Sequence, residues 1–332
     1  MPQNNQLAIC NDYLMKPCFL FILLAVMIGC SREVKISIDA ADSPSDTLRF
    51  EAIQMEPVRG VPISMFCTEG YLVVSLDRSD FVFYVMPFAA DGRAYYCGRI
   101  GRGPNEFISM DSKSIRVVGN DSFTVYDQGK FKTVTLSATS GRIVAADGQL
   151  LNTETPSNGM LPYGDGYVNI NLYQSGSDSE FVKYDHSGKI VGYLGEYPNW
   201  QQSMDSQKAF LYMKSFASTE DGRHLAVFYN HFYKARFYKH PGDRAKTVSF
   251  RVPQTGDPMQ RVCFVGRPQT SEKSVSTICQ FPDHAEIQDW NWNGGISQRH
   301  VVPFAISMFC VDSKGNYFVY SRGEDRFYGS VK

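Results

Sequence analysis

In the segment GRIGRGPNEF (98–107), Arg102 and Glu106 bracket Gly103 and Pro104. A guanidinium fork beside a carboxylate can grip an anionic or sugar ligand. The same pair can instead fix a crossing between structural units through a local salt bridge, with Gly103 and Pro104 setting the backbone, and the spacing favours this second role. Gly98, Gly101 and Gly103 do not follow G-x-G-x-x-G, and Pro104 stands where a dinucleotide-binding turn would open a helix. The chain holds 23 Phe, 19 Tyr and 3 Trp. Trp292 and Trp200 are candidates for a sugar-stacking platform, although aromatic residues in this abundance serve mainly as core. No G-x-S-x-G, H-E-x-x-H, P-loop or D-x-[DN]-x-[DN]-G motif occurs, and the six histidines form no ligand-like pair. No catalytic residue, cofactor or metal ligand is therefore assigned.

The elements that must carry these residues are short strands. Gly- or Asn-containing turns precede aromatic or β-branched runs at Glu69-Gly70, Asn120-Asp121, Asp165-Gly166, Asp221-Gly222 and Lys314-Gly315. They recur about every fifty residues, with one turn missing near residue 270, where Arg267 to Lys273 is turn-like. A second repeated feature is an aromatic strand such as Phe81 to Tyr84 or Phe181 to Tyr184, followed by another tight turn. Tyr167 to Tyr173 alternates polar and apolar as a half-buried strand does, and Trp200 to Phe210 offers one short helix. An all-β, six-bladed β-propeller follows, with about 48 residues per blade after residue 46. A β-sandwich would not explain six evenly spaced hairpins. The sixth unit runs out of chain at its third strand, so Thr47 to Met55 is the candidate for its outer strand, which would close the ring.

Cys18 to Gly29 is an apolar run too short to span a bilayer and suited to the core of a secretory signal. It ends in Gly29-Cys30-Ser31, similar to the lipobox of bacterial lipoproteins, whose Cys carries diacylglycerol after cleavage. Met27 stands where a lipobox usually has Leu. Met15-Lys16 is the plausible true start of such a signal. The chain then divides into a signal peptide (1–29), lipidated Cys30 with a polar tether (30–46), and the propeller (47–332). Membrane attachment through Cys30, with Ser31 following, points to the cell envelope and its outer membrane. The five remaining cysteines after the leader contain no CxxC pair, so neither a disulfide framework nor a zinc knuckle is supported. A net charge of -1, without basic runs, gives nucleic acid nothing to bind.

With IGRGPNEF (100–107) and the DWNWNG turn (289–294) in view, the chain resembles the TolB-like six-bladed propeller lipoproteins of the Bacteroidetes. The resemblance implies a fold and an envelope location rather than a reaction. It fails between Val262 and Ile278, where CFVGRPQTSEKSVSTI replaces the expected hairpin, so the inner strands of the fifth blade are in question. The resulting reading is a binding or scaffold module for an envelope protein or glycan, favoured over an enzyme without excluding one. The alternative is a glycan-active lyase or hydrolase at the channel mouth, which needs two carboxylates about 5–10 Å apart beside an aromatic.

Overall fold

The computed structural model of the protein describes residues 33–331, apart from 90–91, 138–141, 152, 154–156, 173–177, 202–207 and 253–255. The expected signal peptide and Cys30 lie outside the described residues. So does much of the helix expected over 200–210, of which a turn at Lys208–Leu211 is seen.

Six antiparallel sheets succeed one another as the blades of a propeller. Blade 1 contains Val61–Cys67, Tyr71–Asp77, Phe81–Pro87 and Tyr95–Ile100, and blade 2 Met110–Gly119, Ser122–Asp127, Lys130–Ser137 and Arg142–Leu150. Blade 3 contains Leu161–Tyr163, Gly166–Ile170, Ser179–Tyr184 and Ile190–Glu196, and blade 4 Lys214–Ser218, His224–Tyr229, Lys234–Lys239 and Arg244–Phe250. Blade 5 is regular in count, with Phe264–Thr270, Ser274–Gln280, Ala285–Asn291 and Ile296–Val302. The doubt over its inner strands is thus corrected: both are present, and the turn between them is Ser271 to Lys273 rather than all of 267–273. Ser271 supplies through its hydroxyl the hydrogen bonds that an Asp-Gly turn makes elsewhere, accepting from Ser274 N at 3.0 Å.

Blade 6 takes Met308–Val311, Tyr317–Ser321 and Arg326–Val331 from one end of the fold and Arg49–Ala52 from the other. Arg49 pairs with Val331 and Ala52 with Tyr328, so the closing strand lies within the expected Thr47 to Met55. The residues ahead of this strand were expected to be a tether, and here the structure differs. Val34–Ile38 runs parallel to Arg244–Phe250 on the outer edge of blade 4, and Ser45–Thr47 runs parallel to Ile296–Val302 on blade 5. The sequence VKISI alternates as a strand does, and because the outer edge of a blade faces water, the strand needs no continuous apolar face. His300 ties this belt down: its Nδ1 lies 2.6 Å from Asp46 Oδ1, and its Nε2 lies 2.8 Å from the Tyr317 hydroxyl and 3.5 Å from Asp289 Oδ2.

The core lies between blades. Phe66, Phe83, Phe107 and Phe123 meet edge to face at 4.8–5.4 Å between blades 1 and 2. Trp290 packs flat on Phe250 at 5.8 Å and crosses Phe228 between blades 4 and 5. Aromatic pairs of this geometry add about 0.5–1.5 kcal/mol each beyond burial, which accounts for where most of the aromatic residues go.

Candidate functional site

The first strand of each blade is innermost, so the turns from first to second strand ring one mouth of the central channel. The turns read from the sequence at Glu69-Gly70, Asn120-Asp121, Asp221-Gly222 and Lys314-Gly315 all belong to this face. A pocket of about 660 Å³ opens among them, lined by Arg116, Glu220, Arg223, His224, Glu272 and Trp292, with Arg267 and Gln269 reaching in from blade 5.

Blade 5 supplies the closure of the channel. Its first two strands slip in register between Val265 and Gln269, leaving extra residues on the inner strand. Gly266 makes this bulge with φ +72°, and a Cβ there would lie 2.9 Å from the Ser307 carbonyl oxygen. Beyond it, Arg267 donates through Nη1 to the Ile115 carbonyl of blade 2 at 2.9 Å and through Nη2 to Gln269 Oε1 at 3.1 Å. Gln269 Nε2 in turn donates to the carbonyls of Met65 in blade 1 at 3.3 Å and Phe309 in blade 6 at 3.4 Å. The residues that break the repeat are therefore those that span the axis.

The charges at this mouth are unevenly placed. Lys113, Arg116 and Arg267 line a small adjoining recess that contains no carboxylate. Burial lowers the pKa of all three, that of Arg267 to about 10. Asp111 and Glu220 partly offset this for Lys113 and Arg116, whereas Arg267 has no carboxylate partner among the described residues. Its Nε also lacks a hydrogen bond. At the rim, Asp221 accepts from the Thr219 hydroxyl at 2.6 Å and the Arg223 amide at 3.0 Å, and these bonds hold its carboxyl below the usual range. Trp292, 8% exposed, stacks on the His224 ring at 5.9 Å and 27°, and Trp292 Nε1 and His224 Nδ1 have no partner. Burial also lowers the pKa of His224, with Lys239 adding to the effect.

Of the residues singled out in the sequence, Trp292 belongs to this pocket, and Arg102 and Glu106 do not. Glu106 lies in a short strand, Glu106–Phe107, added in parallel to blade 1, and accepts from Gly103 N at 2.7 Å. A Cβ at Gly101 would meet that carboxylate and one at Gly103 would come within 3.0 Å of it, so the Glu106 side chain would have to shift in either case. No ion pair joins Arg102 to Glu106 among the described residues, so the salt bridge expected between them is absent. Arg102 instead borders a cleft of about 480 Å³ between blades 1 and 2, with Asp127, Lys130, Lys132 and Asp147. Asp127 there is fully engaged, pairing with Lys132 at 2.8 Å and accepting from the amides of Ile108 and Ser109. Trp200 packs on Tyr229 and Phe232 in the core of blades 3 and 4. Sequence reasoning missed Arg116, His224 and Arg267, which come from three blades. Among the described residues, no group of three His, Cys, Asp or Glu side chains is arranged to hold a metal ion.

The fold is shared with a solved structure. A Bacteroides fragilis protein designated as exported matches 91% of this chain and 99% of its own, with a TM-score of 0.50 and 13% identity. A streptogramin B lyase matches 86% of this chain and 97% of its own, with a TM-score of 0.47 and 10% identity. No protein-family model matches the chain, and no curated protein does.

Proposed function

We propose that this protein is a TolB-like envelope lipoprotein, anchored through Cys30 in the outer membrane, and that its channel-mouth pocket binds an acidic glycan, free or carried on an envelope protein. One observation carries the reading. Arg267 presents a partly desolvated guanidinium with no carboxylate partner among the described residues, beside Arg116 on the wall of the 660 Å³ pocket, whose acids Glu220, Asp221 and Glu272 stand at the rim turns. A desolvated cation without a counter-ion is costly, and an anionic ligand would relieve that cost. Trp292, stacked on His224 and only 8% exposed, contributes an apolar edge to the pocket wall. An envelope location is supported by the fold shared with an exported protein.

Calorimetry with oligogalacturonate against a neutral cello-oligosaccharide tests this. The acidic chain should bind and the neutral one should not, and binding should weaken with added salt. Trp292→Ala should cost about three- to tenfold in affinity and Arg116→Gln about tenfold or more. Equal binding of both oligosaccharides, or of neither, would remove the proposal. The alternative of a lyase or hydrolase is followed in the same samples through the appearance of shortened or unsaturated products.

A further inference from the structure

Cys67 and Cys310 lie on the innermost strands of blades 1 and 6, Val61–Cys67 and Met308–Val311, where the last blade of the ring meets the first. Both are free thiols here, and their Sγ atoms are 2.8 Å apart. Two sulfurs so close are inside nonbonded contact, on side-by-side inner strands from which a small shift brings them to bonding distance. The other described cysteines, Cys97, Cys263 and Cys279, are buried. Cys67 alone is only partly buried, and it borders a pocket of about 280 Å³ with Thr68, Glu69 and Asn120 on the channel-mouth face.

We propose that Cys67 and Cys310 are a redox site, joined by a disulfide when the protein meets a disulfide oxidant, whether a small-molecule disulfide or an oxidoreductase that carries one. Cys67, reached through its pocket, attacks one sulfur of the oxidant's disulfide, forming a mixed disulfide and releasing the oxidant's first thiol. Cys310 then attacks the Cys67 sulfur, forming the Cys67–Cys310 bond and releasing the second thiol. Two electrons pass from the two cysteines to the oxidant, and their two protons end on the departing thiols. The order follows from exposure. Burial makes Cys310 a reluctant thiolate, although the neighbouring Arg267 charge favours its ionisation, so it is suited to the second, intramolecular attack. The bond would close a loop between positions 243 apart in sequence, nearly the whole ring, and long loops gain most from cross-linking.

The full-length protein is equilibrated with oxidised glutathione, denatured, and alkylated. It is then reduced and alkylated with a second reagent before peptide mapping. The second label is expected on both Cys67 and Cys310, and the first on Cys97, Cys263 and Cys279. The first label on Cys67 and Cys310, or second label on a different pair, would overturn the assignment. Reduction should lower the melting temperature of the wild type by several degrees and leave that of Cys67→Ser unchanged. An equal response of both would also count against the bridge. Because the labelling uses the wild-type chain, it decides the question even if Cys67→Ser folds poorly.

Discussion

Glu180 has no exposed surface, and it accepts hydrogen bonds from Lys214, from the Tyr229 hydroxyl at 2.8 Å, from Arg236 Nη1 at 2.8 Å and from the Tyr238 hydroxyl at 3.2 Å. Lys214 also sits over the rings of Phe181, Tyr197 and Tyr229 at 4.7–5.4 Å. Burial pushes the Glu180 carboxyl up, but the charges of Lys214 and Arg236 outweigh it and hold the group ionised. One carboxylate thus pairs with two cations between blades 3 and 4. Removing its charge takes from Lys214 and Arg236 the carboxylate they share, and losing one partner of a buried ion pair costs about 3–5 kcal/mol. Glu180→Gln should therefore lower the unfolding free energy by about that amount in urea titrations, with little change in slope. The cluster could not be read from the sequence because Glu180, Lys214 and Arg236 lie on three strands. The same holds for Arg116, His224 and Arg267 at the channel mouth. Trp292 alone was legible there, since it falls within a repeated turn.

Strands with a repeated turn ahead of them were legible as elements, whereas strands without one were not. Gly- or Asn-containing turns marked the second strands of blades 1, 2, 3, 4 and 6. The fifth blade was obscured because its turn uses Ser271 and its inner strand carries the bulge at Gly266, so neither local signal survived. The belt strands were missed because they pair in parallel with strands far away, and the Ser- and Asp-rich stretch from Ser37 matched a linker in composition. The belt has a consequence for pH. Burial alone would lower the His300 pKa, but hydrogen bonds to Asp289 and Asp46 raise it above the ordinary 6.5. Tyr317, also facing the ring, stays neutral because burial pushes its hydroxyl up. A raised histidine pKa stabilises the fold fully below the unfolded value, and this contribution fades as pH rises through the folded one. The melting temperature should therefore fall as pH rises above about 6.5 more steeply in the wild type than in His300→Gln.

On the scale of the whole molecule, the number of blades, their order and the closing strand all followed from the spacing of turns and an unfinished sixth unit. The closure matters because a propeller open at one blade exposes two sheet edges. The expected anchor is tested at the same scale. Cys30→Ala should move the protein from the membrane to the soluble fraction on cell fractionation, because two or three acyl chains hold where none remain. Retention of Cys30→Ala in the membrane fraction would show that something other than lipid holds it there.

The belt also sets a schedule for assembly. Val34–Ile38, Ser45–Thr47 and Arg49–Ala52 are synthesised before any blade, yet each is completed only by a partner in blade 4, 5 or 6, in that order. The earliest strands made are thus among the last to find their places, and the ring cannot lock until Arg326–Val331 has emerged. Such distant pairing makes folding slow. Were the chain exported as proposed, this delay would keep it threadable until its final strand is released, so the geometry that seals the finished ring also postpones sealing.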